Sequence, residues 1–600
     1  LKNAILIEVA WEVCNQSGGI YTVISTKVGQ ALEVWGDRYC LVGPYVAKNA
    51  LSEWEEDPTS DTIFARAAKN LRLNGLPVHY GNWLIAGLPP AVLVDLAEAR
   101  RHIVDHKPEL LLSLGLPDWK EETLVVDTTA FGYLVDAFIS EVMAIKKKND
   151  HILAHFHEWM AAAWLPLTKK KHPNLGVLFT THATMLGRYL ASNDTTFYSH
   201  MEAIDWRKEA ANYWIECQVM IERNAVAYSD VFTTVSEVTA RECVQFLGRQ
   251  PDILLPNGLN IQRFTALHEF QNLHQTYKKK IHDFLTGFFF PSYTFDLDKT
   301  LLFFTSGRFE FHNKGYDLTL QALARLNGKL KEEKSPFTVV FFLITRQPTE
   351  SLNPYVLQRR AMMMELRQNA QQILEDVEGK FFGALASSPD GSIPDLNSFV
   401  EDYWKFRVRK TLQAWKSDIL PPIVTHNMKD SENDEVLQML RELKLFNAHE
   451  DPVKVVYHPD FVTPMSPLFG MEYGNFVRGC HLGIFPSYYE PWGYTPLESI
   501  ANGIPTITSD LAGFGAFVEK HIPKSKQTGI QIIHRNNKTE KESLEELISK
   551  LYDFCKMDRR ERIQYRNRTE NNSVQFDWKS LYSFYGSAYR IAYEKTLPRL

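Results

Sequence analysis

Cysteine is scarce and scattered in this chain. The six residues (Cys14, Cys40, Cys217, Cys243, Cys480, Cys555) form no C-x-x-C pair. That excludes a disulfide-stapled scaffold and a zinc finger, so the expectation is a reduced, cytoplasmic protein without a bound metal. Excess charge of one sign is also missing: 66 Lys and Arg face 72 Asp and Glu, a net of −6 over 600 residues. So small an imbalance argues against general nucleic-acid affinity. No apolar run reaches the ~18 residues of a membrane span; Phe337 to Ile344 is among the longest. The opening stretch LKNAILIE has neither the greasy core nor the cleavage site of a secretory leader. Internal repeats and low-complexity tracts are lacking too.

What is present is ordinary globular composition, 44% apolar and 23% charged, in a chain too long for one hydrophobic core. Residues 4–10 (AILIEVA) read as a buried strand, Gly18-Gly19 as a loop, and Ile20, Val23, Ile24 and Val28 recur at helical spacing. This strand, glycine loop and helix open a parallel α/β sheet. The rhythm returns at 151–159 (HILAHFHEW), 176–184 (GVLFTTHAT) and 230–247, and PDILLPNGLN (251–260) closes a first half on an Asn-Gly turn. A second half opens at 299–326 and carries further strands at 337–344, 453–459, 481–486 and 504–509. Between them, 355–450 is charged, helical in pattern and without strand rhythm, an insertion suited to oligomerisation or regulation.

The expected fold is therefore α/β, two doubly wound Rossmann-like domains facing across a cleft. The first covers 1–262 and is completed by a C-terminal helix at 578–600. A connecting helical segment spans 263–298. The second domain covers 299–577, with the insertion and an arginine helix at 556–570. Ligands in such folds sit at the carboxyl ends of the strands.

The densest chemistry lies in HLGIFPSYYEPWGYTPLESIANGIPTITS (481–509). A strand ends at Phe485-Pro486, and Thr495 reads as an N-cap with Pro496 at the first helical position and Glu498 completing a capping box. Asn502-Gly503 stops the helix. Free N–H groups at its start suit a phosphate, and Glu490 at the loop tip suits a sugar. Glu498 reads equally well as a mere capping residue. Arg308 and Lys314, after the strand 301–306 with Asn313 between them, make a cation pair for a diphosphate; singly each would be a solvated surface residue.

Glu490 and Glu498 form an E-x7-E pair within YYEPWGYTPLE. Together with HFHEW, FTTHATMLGRYL, PNGLN and RNRTE, in that family's order from about Ile7 to Ser587, they make the chain resemble the eukaryotic glycogen synthases, retaining glycosyltransferases of the GT-B fold. The resemblance implies UDP-glucose as donor, the non-reducing end of glycogen as acceptor, and α-1,4 links. It implies Arg308 and Lys314 on the donor phosphates, His182 and Arg188 on the glucose, and Tyr473 stacked on the uracil. Glu158 and Asn257 are implied as polar contacts, Gly19 as a close backbone approach, and Trp492, Gly493, Tyr494, Thr495 and Glu498 as substrate-side residues. The chain departs from many relatives in having Gln16 where they place Lys, which removes a charged donor contact. Whether Glu490 is a nucleophile or positions the sugar stays open.

Residues 559–568 (RRERIQYRNR) carry five arginines against Glu561, with Arg559, Arg562 and Arg566 on one helical face. On composition this is a solvated helix or a nucleic-acid patch. The resemblance implies instead an allosteric site for glucose 6-phosphate. There Arg562 and Arg566 hold the phosphate, Arg559 and Arg560 stand available to phosphorylated tails, and His268, Gln271, His274 and Lys278 contribute from 267–278. Asn571-Asn572 replaces a further Arg of vertebrate members, which weakens the cluster. A homotetramer and association with glycogenin are implied as well, and no cofactor. Two rivals remain: a phosphorylase-like enzyme, for which no pyridoxal-lysine motif is visible, and a non-catalytic glycogen-binding scaffold, against which intact Glu490, His182, Arg308 and Lys314 stand.

Overall fold

The computed structural model describes residues 3–116, 122–261, 270–388, 391–524 and 529–597. Apolar runs such as AILIEVA and GVLFTT become strands buried along their whole length, because helices cover both sheet faces. The first sheet has nine strands. They are β1 (Ala4–Ala10), β2 (Tyr39–Pro44), β3 (Trp54–Glu56), β4 (Val78–Trp83), β5 (Pro90–Val94), β6 (His151–His157), β7 (Gly176–Thr181), β8 (Val231–Thr234) and β9 (Ile253–Leu254). Their order is β3-β4-β5-β2-β1-β6-β7-β8-β9. Only the pairings of β4 with β3 and with β5 are antiparallel.

The second sheet begins with β10 (Thr300–Gly307) and β11 (Thr338–Thr345). A separate antiparallel pair follows, β12 (Thr349–Leu352) with β13 (His426–Met428). The sheet continues with β14 (Val453–His458), β15 (Leu482–Phe485), β16 (Thr506–Ser509) and β17 (Ile530–Ile533). All six of its strands are parallel, in the order β14-β11-β10-β15-β16-β17.

Strand order reverses at β1 between β2 and β6, and at β10 between β11 and β15. Crevices open at such reversals, beyond the carboxyl ends of the strands. The segments leaving β1, β6, β10 and β15 are therefore the places to look for a ligand.

Of the span 355–450, the helices Pro354–Ala386 and Asp402–Trp415 project as a hairpin. The remainder differs from a purely helical insertion. It contains β13, and the helix Glu435–Glu442 buries Val436, Leu437 and Leu440 in the core of the second sheet. The helix Thr123–Ile145 is long and apolar enough to cross a membrane, yet it packs Phe131, Leu134 and Phe138 into the core of the first sheet. The last helix, Trp578–Thr596, returns to that sheet: Trp578 Nε1 donates to Thr26 Oγ1 (2.8 Å) and Trp35 Nε1 to the Tyr582 hydroxyl (3.1 Å).

Candidate active site

On the first-domain side of the crevice, β1 runs into Glu12, whose Oε2 accepts from the backbone N–H of Gly18 and of Tyr21, both at 2.8 Å. This fixes the glycine loop. A Cβ on Gly18 would lie 2.7 Å from Glu12 Oε1, whereas one on Gly19 would meet no protein atom within 4 Å. Gly18 is thus required by the protein's own packing, and Gly19 borders free space. Gln16 is exposed.

β6 ends at Glu158, which adopts a left-handed φ of 65°, a strained conformation for a residue with a Cβ. Its Oε1 accepts from the N–H of His182 (2.7 Å) and of Ala183 (3.1 Å). Burial raises the Glu158 carboxyl, while Arg188 and those two amides pull it back. At least one of its oxygens therefore shapes the backbone at the end of β7, a role that its motif did not announce. His182 is buried, and its Nε2 lies 3.0 Å from His157 Nδ1. Burial, with His157 and Lys27 nearby, holds the imidazole well below its ordinary range, so it is neutral. Arg188, one turn along the next helix, is solvent-exposed and within electrostatic reach of Glu158 and of Glu310 from the second domain.

On the other side, β10 leads into the loop 308–315. Lys314 forms an ion pair with Glu490 Oε2. Arg308 is 72% exposed and only 3.4 Å from Glu310, leaving its guanidinium accessible to an anion. Gly315 has φ +70°, and a Cβ there would sit 2.2 Å from the Pro486 carbonyl. Only glycine lets the Lys314 loop lie against the loop of Glu490. The Asn313 carbonyl accepts from the N–H of Tyr488 (2.9 Å) and Tyr489 (3.2 Å), cross-linking the two loops.

The helix carrying Glu498 begins differently from the capping-box pattern. It spans Tyr494–Ala501, with Gly493 (φ 111°) as N-cap and no side-chain cap. Thr495 lies inside the first turn, so it does not cap, and Glu498 is not a capping residue. The loop ahead is pinned from outside: the N–H of Gly513 donates to the Glu490 carbonyl (2.9 Å) and that of Phe514 to the Trp492 carbonyl (2.7 Å). With its start set by Gly493, the first-turn amides stay free for an anion. Glu498 projects into a recess where burial pushes its carboxyl up to about 7. Asn502 ends the helix, and Gly503 follows with φ +74°.

Trp492 requires a correction as well. Its ring is 3% exposed and packs on Phe514 and Phe517, so its side chain belongs to the core and not to the substrate face. Tyr494 reaches across to the first domain, its hydroxyl 3.4 Å from the Gly258 carbonyl. Beside that contact, the buried Asn257 Oδ1 has no partner among the described residues, an unpaired acceptor of the kind a ligand satisfies. Tyr473 is half-buried at the head of the helix Tyr473–Gly479, its hydroxyl 2.5 Å from Ser306 Oγ at the end of β10.

Two further carboxyls, absent from any motif, lie under the crevice. Glu222 takes the Thr181 hydroxyl at 2.6 Å, and Glu242 takes those of Thr184 (2.6 Å) and Tyr198 (2.9 Å). Tyr488, two residues before Glu490, accepts at its hydroxyl from the Tyr198 N–H (3.1 Å), so the catalytic loop candidate is clamped by the first domain.

A second cluster lies on the second domain's outer side. The arginine helix, Arg559–Ser573, starts at a true capping box of Asp558 and Glu561. Arg566 is 6% exposed, and burial together with Arg562 and Arg559 lowers its guanidinium to about 10. The helix Phe270–Phe289 brings Lys278 and His274 toward these arginines, and burial first, with the arginines adding to it, lowers both groups. His274 Nδ1 donates to the Arg478 carbonyl (2.6 Å), and its ring meets His481 edge-on at 5.3 Å. His481 was not singled out by its motif; its charge neighbours include Lys278, Arg566 and Arg562. Lys278, Arg562 and Arg566 thus lie within electrostatic reach of one another, an arrangement suited to an anion. Arg559 and Arg560 occupy the exposed first turn. His268 lies outside the described residues, and of Gln271 only its place in the helix is described.

Comparison with known proteins shows the family and the fold. The glycogen synthase family model matches residues 8–600. The chain is 41% identical over 601 aligned residues to the human liver glycogen [starch] synthase, covering 100% of this chain and 84% of that one. It is 41% identical over 605 residues to the glycogen [starch] synthase of Caenorhabditis elegans, covering 100% and 89%. Among solved structures, the catalytic domain of starch synthase IV from Arabidopsis thaliana, bound to ADP and acarbose, matches with a TM-score of 0.52 at 14% identity, over 98% of this chain and 99% of that one. That likeness speaks to fold alone. Two largely parallel sheets, each with a strand-order reversal, and a family match over nearly the full length lead to one statement: this chain is a GT-B glucosyltransferase belonging to the glycogen synthase family.

Proposed function

We propose that the protein transfers glucose from UDP-glucose to the non-reducing 4-hydroxyl of glycogen with retention, and that glucose 6-phosphate activates it at the arginine helix. The observation that carries the transferase reading is the Lys314–Glu490 ion pair, set beside Arg308 and the uncapped helix at Tyr494. A departing diphosphate needs cations and free amides on one side and a polar sugar pocket on the other. Here the Lys314 loop and the Gly493 turn supply the first, and Arg188, His182 and the free space at Gly19 the second.

In this scheme the bond between the anomeric carbon and the β-phosphate oxygen breaks, and its electron pair stays on that oxygen. The acceptor hydroxyl attacks from the same face and gives its proton to the departing phosphate. Glu490, held in place by its ion pair with Lys314, is suited to orienting the sugar and offsetting positive charge at C1, rather than to forming a covalent bond. Glu498, raised by burial to about 7, carries its proton for part of the neutral range and can then donate to the nucleotide's ribose, and accept from it when ionised. The activator reading rests on Lys278, Arg562 and Arg566, whose mutual repulsion a sugar phosphate would relieve.

Incorporation of radiolabelled glucose into glycogen tests the core of this reading. Arg308→Ala combined with Lys314→Ala is expected to lower turnover by at least about 10²-fold, the scale of losing transition-state charge stabilisation. Incorporation at the parent rate would reject the proposed site.

A further inference from the structure

We propose that Glu8 is a positioning residue of this enzyme: a buried carboxylate that, acting through His157, dictates which nitrogen of His182 carries the proton. The inference rests on the reading above that His182 belongs to the sugar site.

Glu8 lies on β1 and is completely buried. Four groups from neighbouring elements converge on it. Lys27 of the helix Gly19–Trp35 forms an ion pair with Oε1, and the Tyr39 hydroxyl of β2 donates to Oε2 at 2.5 Å. From β6, His157 Nε2 lies 2.7 Å from Oε1, and His155 Nδ1 lies 3.8 Å away. The other ionisable groups around the cluster are the tyrosines of the last helix: the Tyr585 ring lies beneath Lys27, and the Tyr589 hydroxyl is 3.1 Å from His155 Nδ1.

Glu8, His155 and His157 bring three ligand-type atoms within 4.8 Å, yet they do not suit a metal ion. The Lys27 ammonium already neutralises the carboxylate. His155 is committed on both nitrogens, to Tyr589 and to Thr180 (2.7 Å), and His157 on both, to Glu8 and to His182.

The hydrogen-bond logic then runs in one direction. Burial alone would raise the Glu8 carboxyl, but Lys27 and the His157 contact override it and hold Glu8 well below the ordinary carboxylate range. An ionised carboxylate only accepts, so His157 donates from Nε2. Burial keeps His157 neutral, so its Nδ1 carries a lone pair. His182 Nε2, 3.0 Å away, must therefore be the donor. His182 is the Nε2–H tautomer, and its Nδ1 is left as an acceptor. Among the described residues the ring has no other hydrogen-bond partner, so Nδ1 is suited to accept from a sugar hydroxyl. Reversing the chain would present an N–H to that hydroxyl instead. Sequence spacing hides this device, because Glu8 reads as one polar residue in an apolar strand. It emerges from the parallel register that sets Glu8 against His155.

The test begins with the unaltered protein. With ¹⁵N-labelled histidine rings, and His182→Ala used to assign the signal, His182 is expected to show Nε2–H and a bare Nδ1. An Nδ1–H tautomer there overturns the proposal. Two variants extend it while leaving the Glu8–Lys27 pair intact. His157→Phe fills the space without either nitrogen and is expected to lower kcat by about 10- to 100-fold, by analogy with the loss seen when a partner that orients a metal-bound histidine is removed, with the donor KM changed far less. It should also scramble the His182 tautomer. His157→Gln, whose amide offers both a donor and an acceptor, is expected to restore most of the rate and the tautomer. Parent kcat in His157→Phe, or an unchanged His182 tautomer, overturns the inference. Full activity in His182→Ala would instead overturn the sugar-site reading on which it rests.

Discussion

Glu222 shows what a single residue can hide. In the sequence it is one glutamate of the helical stretch ECQVMIERNAVAY, and a helical glutamate ordinarily reads as a solvated charge. In the structure it is fully buried, and burial, with Glu158 adding to it, pushes its carboxyl up to about 8. Glu242, on another element, is raised to about 7, again chiefly by burial. In the fold Glu222 keeps its proton through neutral pH, whereas Glu242 releases its own around pH 7. At low pH folded and unfolded chains alike hold the proton, and Glu222 exacts no penalty. As pH climbs through the ordinary carboxylate range, the unfolded chain releases its proton while the folded one keeps it. Stability therefore falls from about pH 4.5 to about pH 8 and is level above that. Glu222→Gln removes this slope: its amide can donate to the Thr181 hydroxyl and accept from the Met185 N–H, which Glu222 now bonds at 2.6 and 3.1 Å. The variant is expected to melt higher than the parent at pH 8 and to match it near pH 5. Equal melting temperatures at pH 8 would show that Glu222 is ionised without cost. None of this is legible in sequence, where burial is invisible. His182, Lys314 and Glu490 could be singled out as candidates because they follow strand ends and stand in the motifs that carry the family resemblance.

At the scale of elements, the sequence placed the helix after Glu490 correctly but misjudged its start. T-P-L-E fits a capping box, and local preference alone would begin the helix at Thr495. Tertiary contacts decide otherwise: Gly513 and Phe514 hold the carbonyls of Glu490 and Trp492, and Gly493 turns the chain with a positive φ. The far end of the same helix shows a connection that no motif contains. Asn502 donates from Nδ2 to the Glu498 carbonyl (2.9 Å) and accepts at Oδ1 from Arg478 Nε (3.0 Å). The Arg478 carbonyl in turn takes the His274 proton beside the arginine helix. A short chain of hydrogen bonds thus joins the anion cluster to the element bearing Glu498. If glucose 6-phosphate acts through it, Asn502→Ala uncouples the two. The variant is expected to bind the activator in calorimetry with near-parent affinity, while the ratio of activated to basal incorporation falls several-fold. Arg562→Ala with Arg566→Ala should lose the binding itself. An unchanged activation ratio in Asn502→Ala would show that coupling takes another route.

Across the whole molecule, the alternation of apolar runs with helical periodicity disclosed two sheets with parallel centres, because a strand covered on both faces has to be apolar throughout, but not the antiparallel edge that β3 and β4 add to the first. It could not disclose strand order, which depends on pairings between segments far apart in sequence. Nor could it show what the last helix contributes to the first sheet. That helix buries Trp578, Leu581, Tyr582, Tyr585 and Tyr589 in the core that also holds β1 and the helix Gly19–Trp35. The first domain is therefore closed by residues nearly 600 positions from its opening strand, and the buried Glu8–Lys27 pair is roofed by them. Tyr585 tests this closure. Its ring stacks on Tyr582 at 5.9 Å and lies 4.3 Å from Lys27 Nζ, while its buried hydroxyl has no partner among the described residues. Removing only that hydroxyl deletes an unsatisfied polar atom, so Tyr585→Phe should melt at or slightly above the parent temperature. Removing the ring opens a cavity and strips the lysine of its aromatic face, so Tyr585→Ala should cost about 3–5 kcal/mol in denaturant titration. If Tyr585→Ala unfolded with the parent midpoint, the last helix would be an appendage on the first domain. A large loss in Tyr585→Ala with none in Tyr585→Phe would locate the stabilisation in the ring, and would make the two chain ends one folding unit.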